Sequence, residues 1–114
     1  MEIEQNNEQG IAIFRPAGGS LTRDYYSELP DTAAAQLARG ATGVILDLRR
    51  VNFIDSTGIS LILDIKRKTM AVKKTFAVCF ASQSLKNIFN TLNLTSVMNI
   101  FETLDQAVTA CLAP

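Results

Sequence analysis

From Ile54 to Ile59 the chain reads Ile-Asp-Ser-Thr-Gly-Ile, an acid, two hydroxyls and a glycine in succession. Small polar side chains of this kind suit the start of a helix, whose first N–H groups have no partner within it. The sequence that follows is helical in period. Gly58, Leu61, Ile62, Ile65, Thr69 and Val72 recur at three- and four-residue steps and make one face. Ser60, Asp64, Arg67, Lys68 and Ala71 make the other, with Asp64 and Lys68 spaced to pair one turn apart. The helix is expected to run to about Lys73. An anion such as a phosphate is favoured at its start, because unbonded N–H groups and the helix dipole point there. A hydroxyl at this junction can therefore act as a cap or as a switch. Ser56 combines exposure with a small side chain. Thr57 lies one step further in and is expected to bond back to the backbone.

Other chemistry is poorly supplied. The chain has no histidine, which removes the usual base of a nucleophile triad and the commonest metal ligand. Asp47 and Asp55 are eight residues apart with one expected in a strand, a poor fit to a paired-carboxylate site, and neither cysteine has an evident activating partner. No GxxxxGK loop occurs and no GxGxxG follows a strand; Gly18-Gly19 is a lone turn signal. A phosphorelay receiver would need an acidic pair after an early strand and a lysine late in the sheet, where this chain offers Pro16, Gly18, Gly19 and Cys79, Ala81, Ser82. The expectation is a protein with no catalytic residues, no cofactor and no metal site.

The elements that must position the Asp-Ser-Thr-Gly step alternate along the chain. Ile3 to Gln5 and Ile11 to Arg15 read as short strands separated by turn-rich Asn6, Asn7 and Gly10. Gly18, Gly19 and Ser20 read as a loop. A helix is expected from Thr22 or Asp24 to Arg39, ending at Gly40, with Pro30 splitting it and a firmer helix from Asp31. Val44 to Leu48 is the apolar run of a central strand. Phe76 to Ala81 returns to strand. Ser82 or Ser84 caps a helix carrying Leu85, Ile88, Phe89 and Leu92; Val97 to Phe101 is a last strand; Thr103 opens a helix with Leu104, Ala107, Val108 and Cys111 inward. The alternation predicts an α/β domain with a mostly parallel sheet.

Composition bounds the rest. A chain of 114 residues with 47% hydrophobic side chains can bury one core, so residues 1–114 are expected to form a single domain. The net charge is zero, but seven bases (Arg49, Arg50, Lys66, Arg67, Lys68, Lys73, Lys74) face two acids (Asp55, Asp64) between residues 49 and 74. Glu2, Glu4, Glu8, Asp24, Glu28 and Asp31 weight the N-terminal third the other way. Such a basic patch reads as a solvated helix face or as a surface for an acidic protein partner, and the lack of interleaved aromatics argues against direct nucleic-acid binding. Cys79 and Cys111 read as buried hydrophobes. The start has neither basic residues nor an apolar stretch, and the longest apolar run is six residues against the roughly 20 of a membrane span. No membrane insertion and a cytoplasmic location are expected.

With Val44-Ile-Leu-Asp-Leu48 before it and Ser84-Leu-Lys-Asn-Ile-Phe-Asn-Thr-Leu-Asn-Leu94 after it, the Asp55-Ser56-Thr57-Gly58 step resembles that of stand-alone STAS domains of the anti-sigma-factor antagonist type, from Ile11 to about Val108. The resemblance implies a single STAS domain with a four- to five-stranded mixed, mostly parallel sheet and helices packed on it. It implies that Ser56 is phosphorylated by a serine protein kinase that doubles as an anti-sigma factor. The unphosphorylated form would bind that kinase and release its client, and a phosphoserine phosphatase would reset the cycle. The implied partner surface comprises Ser20, Thr22, Asp55, Ser56, Thr57, Gly58 and Ser60. Two positions depart from the family pattern: an acidic residue is common where Gly19, Ser20 and Leu21 stand, and a second glycine where Ser60 stands. The alternative is a STAS scaffold subunit of a membrane transporter or sensory assembly, in which Ser56 is only a cap.

Overall fold

The computed structural model describes residues 3–113; Glu2 and the outer limits of the expected 1–114 domain lie outside them. The chain opens with a hairpin of β1 (Ile3–Glu8) and β2 (Ile11–Pro16). Of the expected turn residues Asn6, Asn7 and Gly10, only Gly10 lies in the turn, which falls at Gln9-Gly10. Both turn residues take positive φ (55° and 85°), as a two-residue hairpin turn matching the strand twist requires. Asn6 and Asn7 stay in the ladder, and the Asn7 side chain accepts the Gly10 N–H at 3.1 Å.

A two-residue strand, β3 (Ser20–Leu21), follows where a loop was expected. It pairs in parallel with β5 (Phe53–Ile54), and the Gly19 carbonyl accepts the N–H groups of Asn52 and Phe53. Thr22 precedes a single turn, α1 (Arg23–Tyr26), and α2 (Leu29–Ala38) begins afresh with Pro30 in its first turn, where the missing N–H does no harm. The expected split is there, but the firm helix starts two residues before Asp31. It closes with Gly40 at φ 101°, the Gly40 N–H on Leu37 O and the Ala41 N–H on Gln36 O, a left-handed cap that favours glycine.

β4 (Gly43–Asp47) is buried along its whole length and leads through β5 into α3 (Ser56–Ala71). Then come β6 (Thr75–Cys79), α4 (Gln83–Thr91), a 3₁₀ turn (Leu94–Ser96), β7 (Asn99–Phe101) and α5 (Leu104–Leu112). The main sheet has the order β1-β2-β4-β6-β7, antiparallel only at β1. This is the α/β domain with a mostly parallel sheet that the alternation predicted, and its five strands with one antiparallel edge fit the four- to five-stranded mixed sheet that the resemblance implied.

Alternation along the strands divides the core. Ala12, Phe14, Val44, Leu46, Phe76 and Val78 pack in the larger cluster with residues of α1 to α4, including Tyr26, Ala33, Leu61, Ile62, Ile65, Leu85 and Phe89. Ile11, Ile13, Ile45, Ala77 and Cys79 pack against Ala107, Val108 and Cys111 of α5 on the other side.

Several boundaries move for local reasons. α3 stops at Ala71; Val72 caps it and is half exposed rather than inward, and Lys73 takes the left-handed conformation (φ 61°) while Lys74 N–H reaches back to Thr69 O. β6 ends at Cys79 because Phe80 has φ 58° and leaves the extended conformation. Ser82, not Ser84, caps α4 by accepting the Leu85 N–H, and Leu92, expected inward, is the exposed C-cap. The 3₁₀ turn occupies the chain before β7, which therefore starts at Asn99 rather than Val97. Thr103 and Gln106 form a reciprocal capping box at α5.

Candidate functional site

The sequence order strand–Asp55–helix puts Asp55, and not Ser56, at the N-cap of α3. Asp55 Oδ1 accepts the Gly58 N–H at 2.9 Å and the Thr57 hydroxyl at 2.6 Å. The Thr57 hydroxyl holds the Asp55 carboxyl below the usual aspartate range, and the Gly58 N–H adds to the effect. Thr57 Oγ1 also accepts the backbone N–H of Arg23 at 3.0 Å, so it does not turn back on its own helix as expected. Ser56 stands between these two committed groups. It is exposed, and its hydroxyl makes no hydrogen bond among the described residues.

Gly58 explains how tightly the strands approach the helix. A Cβ built there would lie 2.1 Å from the Leu21 carbonyl oxygen and 2.7 Å from Ile54 Cγ1. Only a glycine lets β3 and β5 pass over the first turn of α3 at this distance. The passage brings exposed Ser20 and half-buried Thr22, which caps α1 through its backbone alone, to the same end of α3 as Asp55, Ser56 and Thr57.

Ser60, the second departure from the family pattern, is one turn along. Its Oγ accepts from Arg23 Nη2 at 3.1 Å, and the same nitrogen binds Asp64 Oδ2 at 2.6 Å. Arg67 takes the other oxygen, Asp64 Oδ1, at 2.9 Å. Asp64 is thus paired with Arg23 and Arg67 rather than Lys68, which reaches Asp31 on α2. Arg23, foremost, holds the Asp64 carboxyl below its usual range.

Reasoning from sequence missed three residues at this end of the molecule. Arg23 ties α1 to α3 through both backbone and side chain. Phe53 lies opposite Ser20 in the β3–β5 ladder and is exposed, as is Tyr25, which meets Tyr26 edge-on at 5.0 Å. The alternation of Phe53 with inward Ile54 was the available signal for an outward aromatic. The seven bases do not form one patch. Arg49 binds Asp47 and Arg50 binds Glu4 at the end of the sheet, whereas Lys66 donates to the Val97 carbonyl and Lys73 and Lys74 are exposed beyond α3.

Among the described residues, no group of three or more His, Cys, Asp or Glu side chains converges as a metal site would. No helix among them is long and apolar enough to cross a membrane. A surface hollow of about 420 Å³ is bounded by residues of α4 and β7, including Lys86, Asn90 and Ile100, and by Glu102 just after β7, and none of the seven candidate residues lines it.

This geometry coincides with a family. The STAS domain family model matches residues 2–107, and the chain belongs to the STAS domain family. Its fold is similar to that of an anti-sigma-factor antagonist (STAS) domain protein from Planctomyces limnophilus, at 20% identity and TM-score 0.83 over 97% of this chain and 98% of that one. The anti-sigma factor antagonist SpoIIAA in its unphosphorylated form gives 21% identity and TM-score 0.77 over 94% and 93% of the two chains. The phosphorylated form of SpoIIAA from Bacillus gives 21% and 0.72 over 96% and 98%. A sulfate transporter family protein from Wolinella succinogenes gives 18% and 0.73 over 93% and 88%. At these identities the likeness is one of fold. No curated protein matches the sequence significantly.

Proposed function

We propose that this STAS domain is a phosphorylation-controlled partner switch of the anti-sigma-factor antagonist kind. The unphosphorylated protein binds an anti-sigma factor that is also a serine kinase, and the kinase then releases its client. Phosphorylation of Ser56 ends the binding, and a phosphoserine phosphatase restores it. The protein is on this reading a binding regulator in the cytoplasm, not an enzyme, and its contact surface is Ser20, Thr22, Asp55, Ser56, Thr57, Gly58 and Ser60.

One observation carries the reading: the capping duties at the start of α3 fall to Asp55 and Thr57, which leaves the Ser56 hydroxyl exposed and without a hydrogen bond among the described residues. A phosphate there adds roughly −1.5 to −2 charges beside Asp55, in the middle of the surface and without disturbing the cap. Fold neighbours that are anti-sigma factor antagonists, one of them solved in a phosphorylated form, support the same direction.

The test is phosphorylation by the cognate kinase with ATP. One phosphate is expected, lost in Ser56→Ala and kept in Thr57→Ala. Ser56→Asp should bind the kinase at least about tenfold more weakly, roughly 1.4 kcal/mol. Full phosphorylation of Ser56→Ala, or unweakened binding by Ser56→Asp, would overturn the switch. The neighbour from a sulfate transporter family protein favours one other reading, a non-switching scaffold on a transporter or sensory assembly, and either of those results would promote it.

A further inference from the structure

Ser56 and Ser60 are one turn apart on α3, where residues at this spacing have Cβ atoms about 5–6 Å from each other. The Arg23 guanidinium already stands on that stripe, on Ser60 Oγ and Asp64 Oδ2. The Arg23 backbone is fixed to the first turn of α3 through Thr57 Oγ1, so its side chain can swing while its Cα stays in place. Asp64, for its part, has a second guanidinium. Arg67 holds Oδ1, so the departure of Arg23 from Oδ2 does not leave that carboxylate without a partner.

We propose that Arg23 is the intramolecular receiver of the Ser56 phosphate: its guanidinium leaves Ser60 and Asp64 and pairs with the phosphoryl oxygens, while Arg67 keeps Asp64. The proposal rests on Ser56 as the acceptor. A phosphate carries more charge than a carboxylate and has three acceptor oxygens that suit the two-pronged guanidinium. The pair it must displace is partly open to water, with Arg23 37% and Asp64 23% exposed, and such pairs are weak. The other charged groups at this end are Asp24 on α1 and Asp55, Asp64 and Arg67 on or next to α3. Arg67 is already held by Asp64, and Asp55 by Thr57 and Gly58, which leaves Arg23, among the described residues, as the cation tethered beside the first turn. Phosphorylation then does more than add charge. It removes the Arg23–Asp64 bridge and alters the surface between Ser20 and Asp64 that a partner would meet.

Phosphoserine placed at position 56 by genetic encoding tests this without any kinase. Its second ionisation is followed by ³¹P NMR from about pH 4 to about pH 8, around the ordinary value near 6. It should lie at least about half a pH unit lower in the parent than in Arg23→Gln, because a guanidinium in contact favours the dianion. Arg23→Lys should recover part of that shift, and Arg67→Gln should cause less than half of it. The Arg23 Nε–H resonance should move on phosphorylation and that of Arg67 should not. Equal shifts in Arg23→Gln and Arg67→Gln, or an Arg23 resonance that stays in place, would overturn the proposal. A Ser56→Ala protein still phosphorylated by the kinase would instead sink the acceptor reading and leave this titration as it stands, so the two failures are distinct.

Discussion

A capping carboxylate and an exposed hydroxyl on adjacent residues divide the work that one serine would otherwise do alone. Asp55 satisfies the Gly58 N–H and orients Thr57, and Thr57 anchors Arg23. The depressed Asp55 ionisation gives this arrangement a pH signature. A carboxylate whose folded pKa lies below its unfolded one stabilises the fold above the unfolded pKa, and that contribution is lost as pH falls through the folded pKa. Asp55→Asn should therefore have a lower urea midpoint than the parent at pH 7, and the gap should narrow as pH falls below the ordinary aspartate value of about 3.9. A gap that stays constant across this range would mean that the Asp55 charge plays no part in the cap. At this scale the sequence was informative about which residue types meet a helix start, and Asp55, Ser56, Thr57 and Gly58 were all legible. It was silent on Arg23, because that contact joins residues 34 to 41 positions apart and no local periodicity reports it.

The element that makes the site is the crossing of β3 and β5 over the first turn of α3. Gly58→Ala forces a methyl group into the Leu21 carbonyl, which is backbone and has no rotamer through which to yield. Overpacking of this kind costs about 1–3 kcal/mol or more, and here it should also displace Ser20 and Thr22 from α3. Thermal unfolding should register the loss, and amide shifts of residues 19 to 22 should move with it; unchanged shifts there would show that the helix alone had yielded. One turn further along the same buried face, α3 is anchored by core packing. Ile62 is 1% exposed within the main core cluster, so Ile62→Ala should cost about 2–5 kcal/mol while leaving the Ser56 surface intact. An unchanged denaturation midpoint would contradict that packing. Long periodic elements such as α3 were readable because burial imposes the three- and four-residue steps. The two-residue strands β3 and β5 were not, since so short a pairing is set by where the Gly19 carbonyl lies and not by any pattern of its own. The same holds at the ends of elements, where Lys73 and Phe80 take positive φ without being glycines.

For the molecule as a whole, the sheet separates a large core under α1 to α4, beside Ser56, from a small one covered by α5. The main sheet is also pinned at the end near Asp47, whose buried carboxylate binds Arg15 and Arg49 while Arg49 covers the Phe80 ring at 4.3 Å. Asp47→Ala would take a shared carboxylate from Arg49 and from Arg15, which keeps Glu4, and a loss of about 1–3 kcal/mol is expected in equilibrium unfolding; a loss below about 0.5 kcal/mol would show that both arginines simply turn to water. The smaller core carries its own reporters. Cys79 on β6 and Cys111 on α5 lie in the same cluster, and burial pushes their thiols up to about 12 and about 11. Thiolate is the reactive form, so neither should be modified in the native state near pH 8, and each should react only when its cover opens. For Cys111 that opening is the undocking of α5 at the chain's end, whereas Cys79 also sits within a strand paired on both sides, to β4 and β7. Native-state labelling with a disulfide reagent should therefore modify Cys111 first, at a rate that rises at low urea, and Cys79 only with global unfolding. If Ser56 and α5 belong to separately stabilised halves, a phosphate at Ser56 should leave the Cys111 rate unchanged. Cys111 reacting at the rate of a free thiol in native buffer would mean that α5 does not close the second core at all.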